Sequence, residues 1–385
     1  MTPDNDRSQS AAGLHATATA SEAARSNLAA SRAPGSSVER SVANGAPAET
    51  SSPAQTFTRG WLSEYQVEAK IFLAFALVFV VFVILAGSSF VTGQTWSGVM
   101  NAGAELGIVA LGVTVLMIAG EFDLSVGTTF ALTGMVVGLM LNAHTVPPLL
   151  VLIIGIAMGA AIGAINGLVT VFLRIPSFIT TLGTWLFWGG ITLLVNQGLP
   201  VSYFGNSSLV KIFGGRIAGT QFRWEAVWWI ALAIAVLVVM QRTRWGNWVH
   251  ATGGSRKTAD AVGVNTRRVR VTAFTLAGAL AAFAGIVSFS HLLSMAPDNG
   301  NNLQLNAIAA AVIGGTALTG GVGRIGGVFV GTVLLSMLSS GLVLAGASTT
   351  YYQIFVGLIV IAAVAMHSNA KLPDGLAALL KREER

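Results

Sequence analysis

The chain has 385 residues, of which 53% are hydrophobic and only 10% are charged, and it contains 45 glycines and no cysteine. Several apolar stretches reach the roughly 20 residues that a helix needs to cross a bilayer, so the composition excludes an ordinary soluble domain and predicts an all-α polytopic membrane protein. The net charge of +6 lies mostly in the predicted cytoplasmic segments, and we therefore attribute it to membrane topology and exclude nucleic-acid binding.

The two ends of the chain differ in composition from its middle. Residues 1–58 are rich in Ala, Ser, Thr, Pro and Gly and have no aromatic residue before Phe57. We expect them to form a disordered cytoplasmic tail, because they cannot bury enough apolar surface to fold. Residues 59–370 are expected to form one transmembrane domain, which begins with an interfacial helix, and residues 371–385 a short basic cytoplasmic tail.

Ten spans are predicted, with both termini in the cytoplasm. The Lys and Arg residues outside the spans support this topology, because most of them fall on the predicted inner side. The exception is the outer loop 196–224, which carries three basic residues and turn sequences, and which we expect to have some structure of its own. The predicted spans are 71–90, 97–119, 124–142, 147–171, 178–195, 225–241, 271–290, 303–319, 325–345 and 350–367.

A weak internal repeat links the two halves of the chain. The run ALGVTVLMIAGEFDLSVGTTFALTGMVVGLM resembles the later run AAAVIGGTALTGGVGRIGGVFVGTVLLSM. Each has an apolar helix, a Gly-rich break and a second Gly-containing helix. Interrupted helices of this kind are typical of transporters, and their breaks tend to lie near the substrate path.

Glu105 is predicted to lie inside the second span, with Asn101 one turn earlier on the same face. A carboxylate at membrane depth is costly unless it faces a partner or a watery cavity, so Glu105 is a candidate for the translocation pathway. The alternative is a structural Glu near the interface that bonds to a neighbouring helix.

The motif GEFDLSVG opens the third span and carries the candidate gate or cap residues Glu121, Asp123 and Ser125. A carboxylate at this position suits the positive end of a helix dipole. We therefore favour a helix cap as the local role of Asp123, which does not exclude a contact with a gate or partner.

The fourth and fifth spans carry small and hydroxyl-bearing residues. Glycines at four-residue spacing form one bare stripe, which we interpret as a helix-packing surface. Asn166 lies next to the last glycine of this stripe and could hydrogen-bond across helices or to a polar solute. Thr180 and Thr181 place hydroxyls on the fifth span, where they could contact a polar solute or simply pack. The stripe consists of Gly155, Gly159, Gly163 and Gly167.

None of the 5 histidines is paired at metal-ligand spacing, so no metal site is predicted.

The segment Arg242–Arg270 is a basic island between two apolar runs, with seven Lys or Arg residues against the single acid Asp260. Ser255 is expected to cap a helix of about two turns, which Gly263 ends. This helix has too little apolar area, on a face with Ala259 and Val262, to be stable alone, so it is expected to dock on a partner. A charged loop that only fixes topology is the alternative.

Motifs for catalysis are absent from the sequence. There is no G-x-x-x-x-G-K-[ST] phosphate loop, and no HExxH or GxSxG motif of an intramembrane hydrolase. No predicted cytoplasmic segment is large enough for a nucleotide-binding domain. We therefore expect a protein that is not an enzyme and that binds no cofactor.

Four motifs occur together and in order: GEFDLSVG (120–127), IPSFITTLGT (175–184), GGSRKTADAVGVN (253–265) and NAIAAAVIGGTALTGGVGRIGG (306–327). In this combination, which covers about residues 70–367, the chain resembles the permease subunits of bacterial ABC importers for ribose- and xylose-type sugars. The resemblance implies an ABC importer permease fold in the bacterial inner membrane. It also implies a second permease chain, an ATPase subunit that binds the ATP, and an extracytoplasmic sugar-binding protein.

Under this resemblance, the segment 253–265 corresponds to the coupling helix that docks on the ATPase. The residues assigned to this contact are Gly253, Gly254, Ser255, Arg256, Lys257, Asp260 and Gly263. The chain departs from the family at two points. Lys257 and Thr258 stand where acidic residues are usual, which indicates a co-adapted ATPase, and the pathway candidate Asn306 stands where an Asp is common.

Three readings of the function remain at this stage. The first is an ABC permease for a monosaccharide, driven by a separate ATPase subunit. The second is an ABC permease for a nucleoside or a polyol. The third is a cation-coupled secondary transporter that uses Glu105 as its ion or proton site.

Overall fold

The computed structural model describes residues 71–348 and 350–367, and these residues are largely helical. The two predicted tails and the interfacial helix lie outside the described residues. Eight described helices are long and apolar enough to cross a membrane, and two shorter apolar helices accompany them. The chain is therefore an all-α polytopic membrane protein, as the sequence predicts.

The helices are numbered in chain order. The segment 71–86 is α1, and it continues into a 3-10 turn at Gly87–Val91. The next helices are α2 (Gly93–Ile118), α3 (Val126–Ala143), α4 (Pro148–Phe172), α5 (Ser177–Val195), α6 (Ser208–Gly214) and α7 (Trp224–Arg242). They are followed by α8 (Arg244–Gly254), α9 (Arg256–Ala261), α10 (Thr266–Leu292), α11 (Leu303–Ile313), α12 (Ile325–Leu344) and α13 (Thr350–His367).

The helix α2 lies at the centre of the described part of the chain. Of its most apolar window, 89% is buried by protein, whereas the corresponding value for the span Ile71–Val91 is 11%. Glycine allows this central position, because a Cβ on Gly107 would lie 2.2 Å from the indole nitrogen of Trp229, on α7. A Cβ on Gly112 would similarly lie 2.9 Å from the Cα of Ala277, on α10. Both neighbours thus pack against bare backbone on α2.

The glycine stripe of α4 packs against α10. A Cβ on Gly163 would lie 2.2 Å from the carbonyl oxygen of Phe274, and one on Gly159 would lie 2.3 Å from the Cβ of Ala282. The approach is mutual, since a Cβ on Gly278 would lie 2.2 Å from the carbonyl oxygen of Gly159. The backbones of the two helices therefore touch, and no larger residue fits at these positions without moving them apart.

The loop 196–224 has its own structure, as expected from its turn sequences. It contains the short helix α6 and a two-residue strand, β1 (Val201–Ser202), which pairs antiparallel with β2 (Ser294–Met295) after α10. Val201 lies opposite Met295 in this register. The pairing ties the loop to the C-terminal end of α10.

The predicted span 303–319 is wrong in length. Its helix, α11, ends at Ile313 after 11 residues, which is a length of about 16 Å and half of a typical hydrocarbon core. The helix ends just before Gly315, which has a positive φ angle, and Gly320 and Gly321 also have positive φ angles further along the chain. The apolar composition of the run concealed these turns.

The chain reaches α11 through a non-helical segment, residues 296–302, that runs back along α3. Met295 packs at Gly134 of α3, and Gly300 packs at Gly127, two turns nearer the start of that helix. A Cβ on Gly300 would lie 1.9 Å from the carbonyl oxygen of Gly127. Such backbone is compatible with membrane depth only where protein or a watery cavity covers it, and α3 provides this cover on one side.

Candidate functional site

The predicted short helix in the basic island is present as α9. The hydroxyl of Ser255 accepts a hydrogen bond from the backbone N–H of Thr258 at 3.4 Å, and Gly263 follows with a φ of +86°. The two apolar residues expected on its docking face differ in exposure. Ala259 is buried against the rest of the chain, but the side chain of Val262 is 74% exposed. The exposed surface of α9 thus combines one apolar residue with basic neighbours.

A second helix, α8, precedes α9 and was not predicted from the sequence. Its last turn contains Gly253, which lies against the end of α2. A Cβ on Gly253 would lie 1.7 Å from the carbonyl oxygen of Ile118 and 2.6 Å from the amide nitrogen of Gly321. Its neighbour Gly254 has open space at the corresponding position. Of the two glycines, only Gly253 is required by close packing.

The two non-helical breaks of the repeat meet at this point. We call residues 119–125 the first break and residues 314–324 the second break. The backbone N–H of Gly321 donates a hydrogen bond of 2.8 Å to the carbonyl oxygen of Ile118, and the Nδ1 atom of His250, on α8, lies 3.0 Å from the carbonyl oxygen of Gly321. The end of α8 is therefore packed against both breaks.

Glu121 ties α9 to the first break. Its carboxylate accepts a hydrogen bond of 2.6 Å from Arg256, the first residue of α9, and another from Arg270 at the start of α10. Arg256 also donates to the carbonyl oxygen of Gly120 at 3.1 Å. The Glu121 side chain is 3% exposed and that of Arg256 is 46% exposed. Part of Arg256 thus serves an internal contact, which limits what it offers to a partner.

Asp123, Ser125 and Asn166 form a buried polar cluster. The Asp123 carboxylate accepts hydrogen bonds of 2.7 Å from both the backbone N–H and the hydroxyl of Ser125. The amide nitrogen of Asn166 donates to Asp123 at 3.1 Å and to the Ser125 hydroxyl at 2.7 Å. Burial raises the pKa of Asp123, and the hydrogen bonds from Ser125 and Asn166 oppose this shift. Ser125 occupies the N-cap position of α3, so Asp123 bonds the residue at the cap, and Asn166 joins the first break to α4.

The other pathway candidates lie on α5 and α11. The Thr181 hydroxyl donates to the carbonyl oxygen of Ser177, one turn earlier in α5. The Thr180 hydroxyl is buried and has no hydrogen-bond partner among the described residues. Asn306 is half-buried in the first turn of α11.

Asn101 and Glu105 line a cavity of about 650 Å³ that extends along the first half of α2, beside the loop 196–224. His291, from the end of α10, lines the same cavity. Its Nδ1 atom lies 3.7 Å from Glu105 and 3.0 Å from Glu225, at the start of α7. The cavity also has polar and basic walls, formed by Gln94, Ser97, Arg216, Thr220, Gln221 and Arg223.

Glu225 was not predicted as a functional residue from the sequence, and His291 was assigned to no site. Three different helices bring them to Glu105, so no local spacing could have paired them. A usable signal did exist for Glu225, because an acidic residue within the first turn of an apolar span is a functional candidate by default.

The chain has clear similarity to known transport proteins. A family model described as "Branched-chain amino acid transport system / permease component" matches residues 95–364. The Ribose import permease protein RbsC of Escherichia coli (strain K12) is 34% identical over 331 residues, which are 84% of this chain and 99% of the relative.

Two other relatives show the same breadth of similarity. The Fructose import permease protein FrcC of Rhizobium meliloti is 30% identical over 76% of this chain and 83% of its own length. The RbsC protein of Bacillus subtilis (strain 168) is 34% identical over 74% of this chain and 88% of its own length. No solved structure matches significantly. The match to the family model and these relatives together show that the chain belongs to this family of permease components.

Proposed function

We propose that this chain is the membrane permease subunit of an ABC importer for a monosaccharide such as ribose or fructose. The cargo is inferred from the relatives, whose names specify ribose and fructose import, although the family model is described for branched-chain amino acids. The chain works in the bacterial inner membrane with both termini in the cytoplasm. It pairs with a second permease chain, most simply a copy of itself, and an extracytoplasmic binding protein delivers the sugar.

ATP binding and hydrolysis take place on a separate subunit. The contacts of α8 with both breaks and of α9 with the first break are the observation that carries this proposal. A helix of six residues is too short to be stable alone, yet α9 is capped and held by Arg256 at the point where both breaks meet. A partner that pushes α9 can therefore act on the interrupted helices directly.

The exposed surface of α9 indicates the chemistry of its partner. Lys257 is exposed, Val262 is 74% exposed, and the first turn of α10 adds exposed Arg267 and Arg268. A groove with an apolar floor for Val262 and an acidic rim complements this surface. We therefore place the ATPase contact on these residues more than on Gly253, which faces inward.

The second candidate function is cation-coupled transport without an ATPase. One observation favours it: Glu105 lies with Glu225 and His291 beside a polar cavity, as an ion or proton site would require. In this reading α9 would have no partner, and its exposed Val262 would have no purpose.

Uptake measurements distinguish these functions. Cells that express the chain with its neighbouring ATPase and binding protein receive labelled pentoses, hexoses, a nucleoside, a polyol and leucine. In one condition the ion gradients are collapsed while ATP stays high. In the other condition ATP is depleted while the ion gradients are kept. We expect pentose or hexose uptake that follows ATP and stops when the ATPase gene is removed. Uptake that follows the gradient and persists without the ATPase would contradict the proposal, and uptake of leucine alone would contradict the sugar assignment.

A further inference from the structure

We propose that Glu105, Glu225 and His291 bind a divalent transition-metal cation where the middle of α2 meets the start of α7 and the end of α10. No comparison or motif assigns such a site, and the coupling proposal does not depend on it. The three residues come from three helices, so one bound ion would fasten these helices to one another.

The spacing of the ligand atoms fits a metal ion. One ligand atom from each residue lies within 4.8 Å of the others, and the two measured separations from His291 Nδ1 are 3.0 Å and 3.7 Å. Nitrogen and oxygen ligands at about 2.0–2.2 Å from a tetrahedral ion lie roughly 3.4 Å apart. Small rotations of the Glu105 side chain, which is 25% exposed, are enough to close the remaining gap.

Glu225 provides independent support, because its buried carboxylate has the His291 imidazole as its single close polar partner among the described residues. The side chain is 0% exposed, its Oε1 atom lies 3.0 Å from Nδ1 of His291, and its Oε2 atom has no hydrogen-bond partner among the described residues. A buried carboxylate is ordinarily paired, hydrogen-bonded or bound to a metal. The nearby Asn101 side-chain oxygen is also buried without a partner and lines the same cavity, where it could accept a hydrogen bond from a metal-bound water.

The local charges point in the same direction. Among the described residues, neither glutamate forms an ion pair with Lys or Arg, and the guanidinium of Arg223 donates to the carbonyl oxygen of Gly214 at 2.6 Å. At ion-pair distance, one imidazole, even when protonated, supplies a single positive charge against two carboxylates, and Arg216 and Arg223 line the cavity from farther away. A divalent cation with a neutral His291 balances both.

The donor set specifies the class of metal. One imidazole and two carboxylates with no sulfur ligand suit Zn²⁺, Mn²⁺ or Fe²⁺ and not Cu⁺, which prefers thiolate or thioether ligands. Three protein ligands also leave at least one coordination position for water from the cavity, in contrast to closed structural zinc sites with four protein ligands.

Metal titration of the purified full chain tests this proposal. The protein carries no polyhistidine tag, is treated with a chelator, and is titrated with Zn²⁺ by calorimetry and with Co²⁺ by visible absorption. The wild type and the variants Glu225→Gln, His291→Asn and Glu105→Gln are compared. His144→Asn is the matched control, because His144 caps α3 outside the cluster and its left-handed backbone conformation is one that Asn adopts readily.

We expect one equivalent per chain in the wild type and in the control. Loss of any one ligand should weaken binding by more than about 100-fold, since the loss of outer partners alone already costs 10–100-fold. If a variant at a buried position fails to fold, Glu105→Gln still tests the proposal, because the Glu105 side chain is 25% exposed. No metal binding by the folded wild type would overturn the proposal and leave an ion-paired triad. Equal affinity in all three variants would overturn it as well.

Discussion

Replacing Gly253 with Ala should loosen the junction between α8 and the two breaks. The added Cβ would lie 1.7 Å from the carbonyl oxygen of Ile118, and an ordinary carbon–oxygen contact is roughly twice as long. That same oxygen accepts the hydrogen bond from Gly321. Both neighbouring atoms belong to the backbone, so no side chain can rotate to make room.

The expected loss combines two effects. Overpacking of a close contact costs about 1–3 kcal/mol, and loss of a donor from a buried carbonyl costs about 1–3 kcal/mol more. Together these predict a loss of about 2–6 kcal/mol in the free energy of unfolding. The melting temperature should fall by at least about 4 °C, since each kcal/mol shifts a large domain by roughly 2–4 °C.

The assay compares thermal unfolding of the purified chain in detergent for the wild type, Gly253→Ala and Gly254→Ala. The second variant is the matched control, because it adds the same methyl group next along the chain, where no heavy atom lies within 4 Å. Gly254→Ala should unfold at or above the wild-type temperature, because Ala favours a helix over Gly. If both variants unfold at the wild-type temperature, the close packing of α8 against the breaks is wrong.

Three further predictions address the other contacts. Glu121→Gln removes the charge that holds two arginines, and loss of one partner from a buried pair costs about 3–5 kcal/mol. The amount of sugar transported per ATP hydrolysed should therefore fall at least tenfold in vesicles, and an unchanged ratio would refute this role of Glu121. Gly163→Val should lower the amount of folded protein in membranes through overlap with α10, whereas Gly183→Val, in open space, should not; equal amounts would show that α4 and α10 can separate. Asn166→Ala should destabilise the chain by about 1–3 kcal/mol, because Asp123 loses a buried donor, and an unchanged melting temperature would count against the cluster.

Local patterns in the sequence predicted much of the fold. Hydropathy identified the helices because each long span is a nearly continuous apolar run. The Ser255 cap and the positive φ of Gly263 were predictable since each depends only on neighbouring residues. The packing of the glycine stripe followed from a fixed spacing along one helix, which needs no knowledge of the partner helix.

Features that depend on distant residues were not predictable in this way. Glu121 and Arg256 are 135 positions apart, and both were predicted as functional residues without any indication that they bond to each other. Ala259 and Val262 have the three-residue spacing of one helix face, but α9 ends before Val262, and only Ala259 is buried. The length of α11 was overestimated because Gly, Ala and Thr score as membrane-compatible even where their backbone turns.

The glycine content of the two breaks has a mechanical explanation that joins these observations. A continuous helix resists changes in φ and ψ that would reorient its end, because each residue is held by hydrogen bonds to residues one turn away. Non-helical residues such as Gly320 and Gly321, with φ values of +85° and +77°, can absorb large changes in φ and ψ, as hinge residues do. Gly321 of the second break bonds the carbonyl oxygen of Ile118 at the end of α2, and Gly320 packs against Gly120 of the first break, so α9 moves neither break alone. A push on α9 should therefore reorient the ends of α2, α3, α11 and α12 together, while α4 and α10 stay locked by their glycine contact.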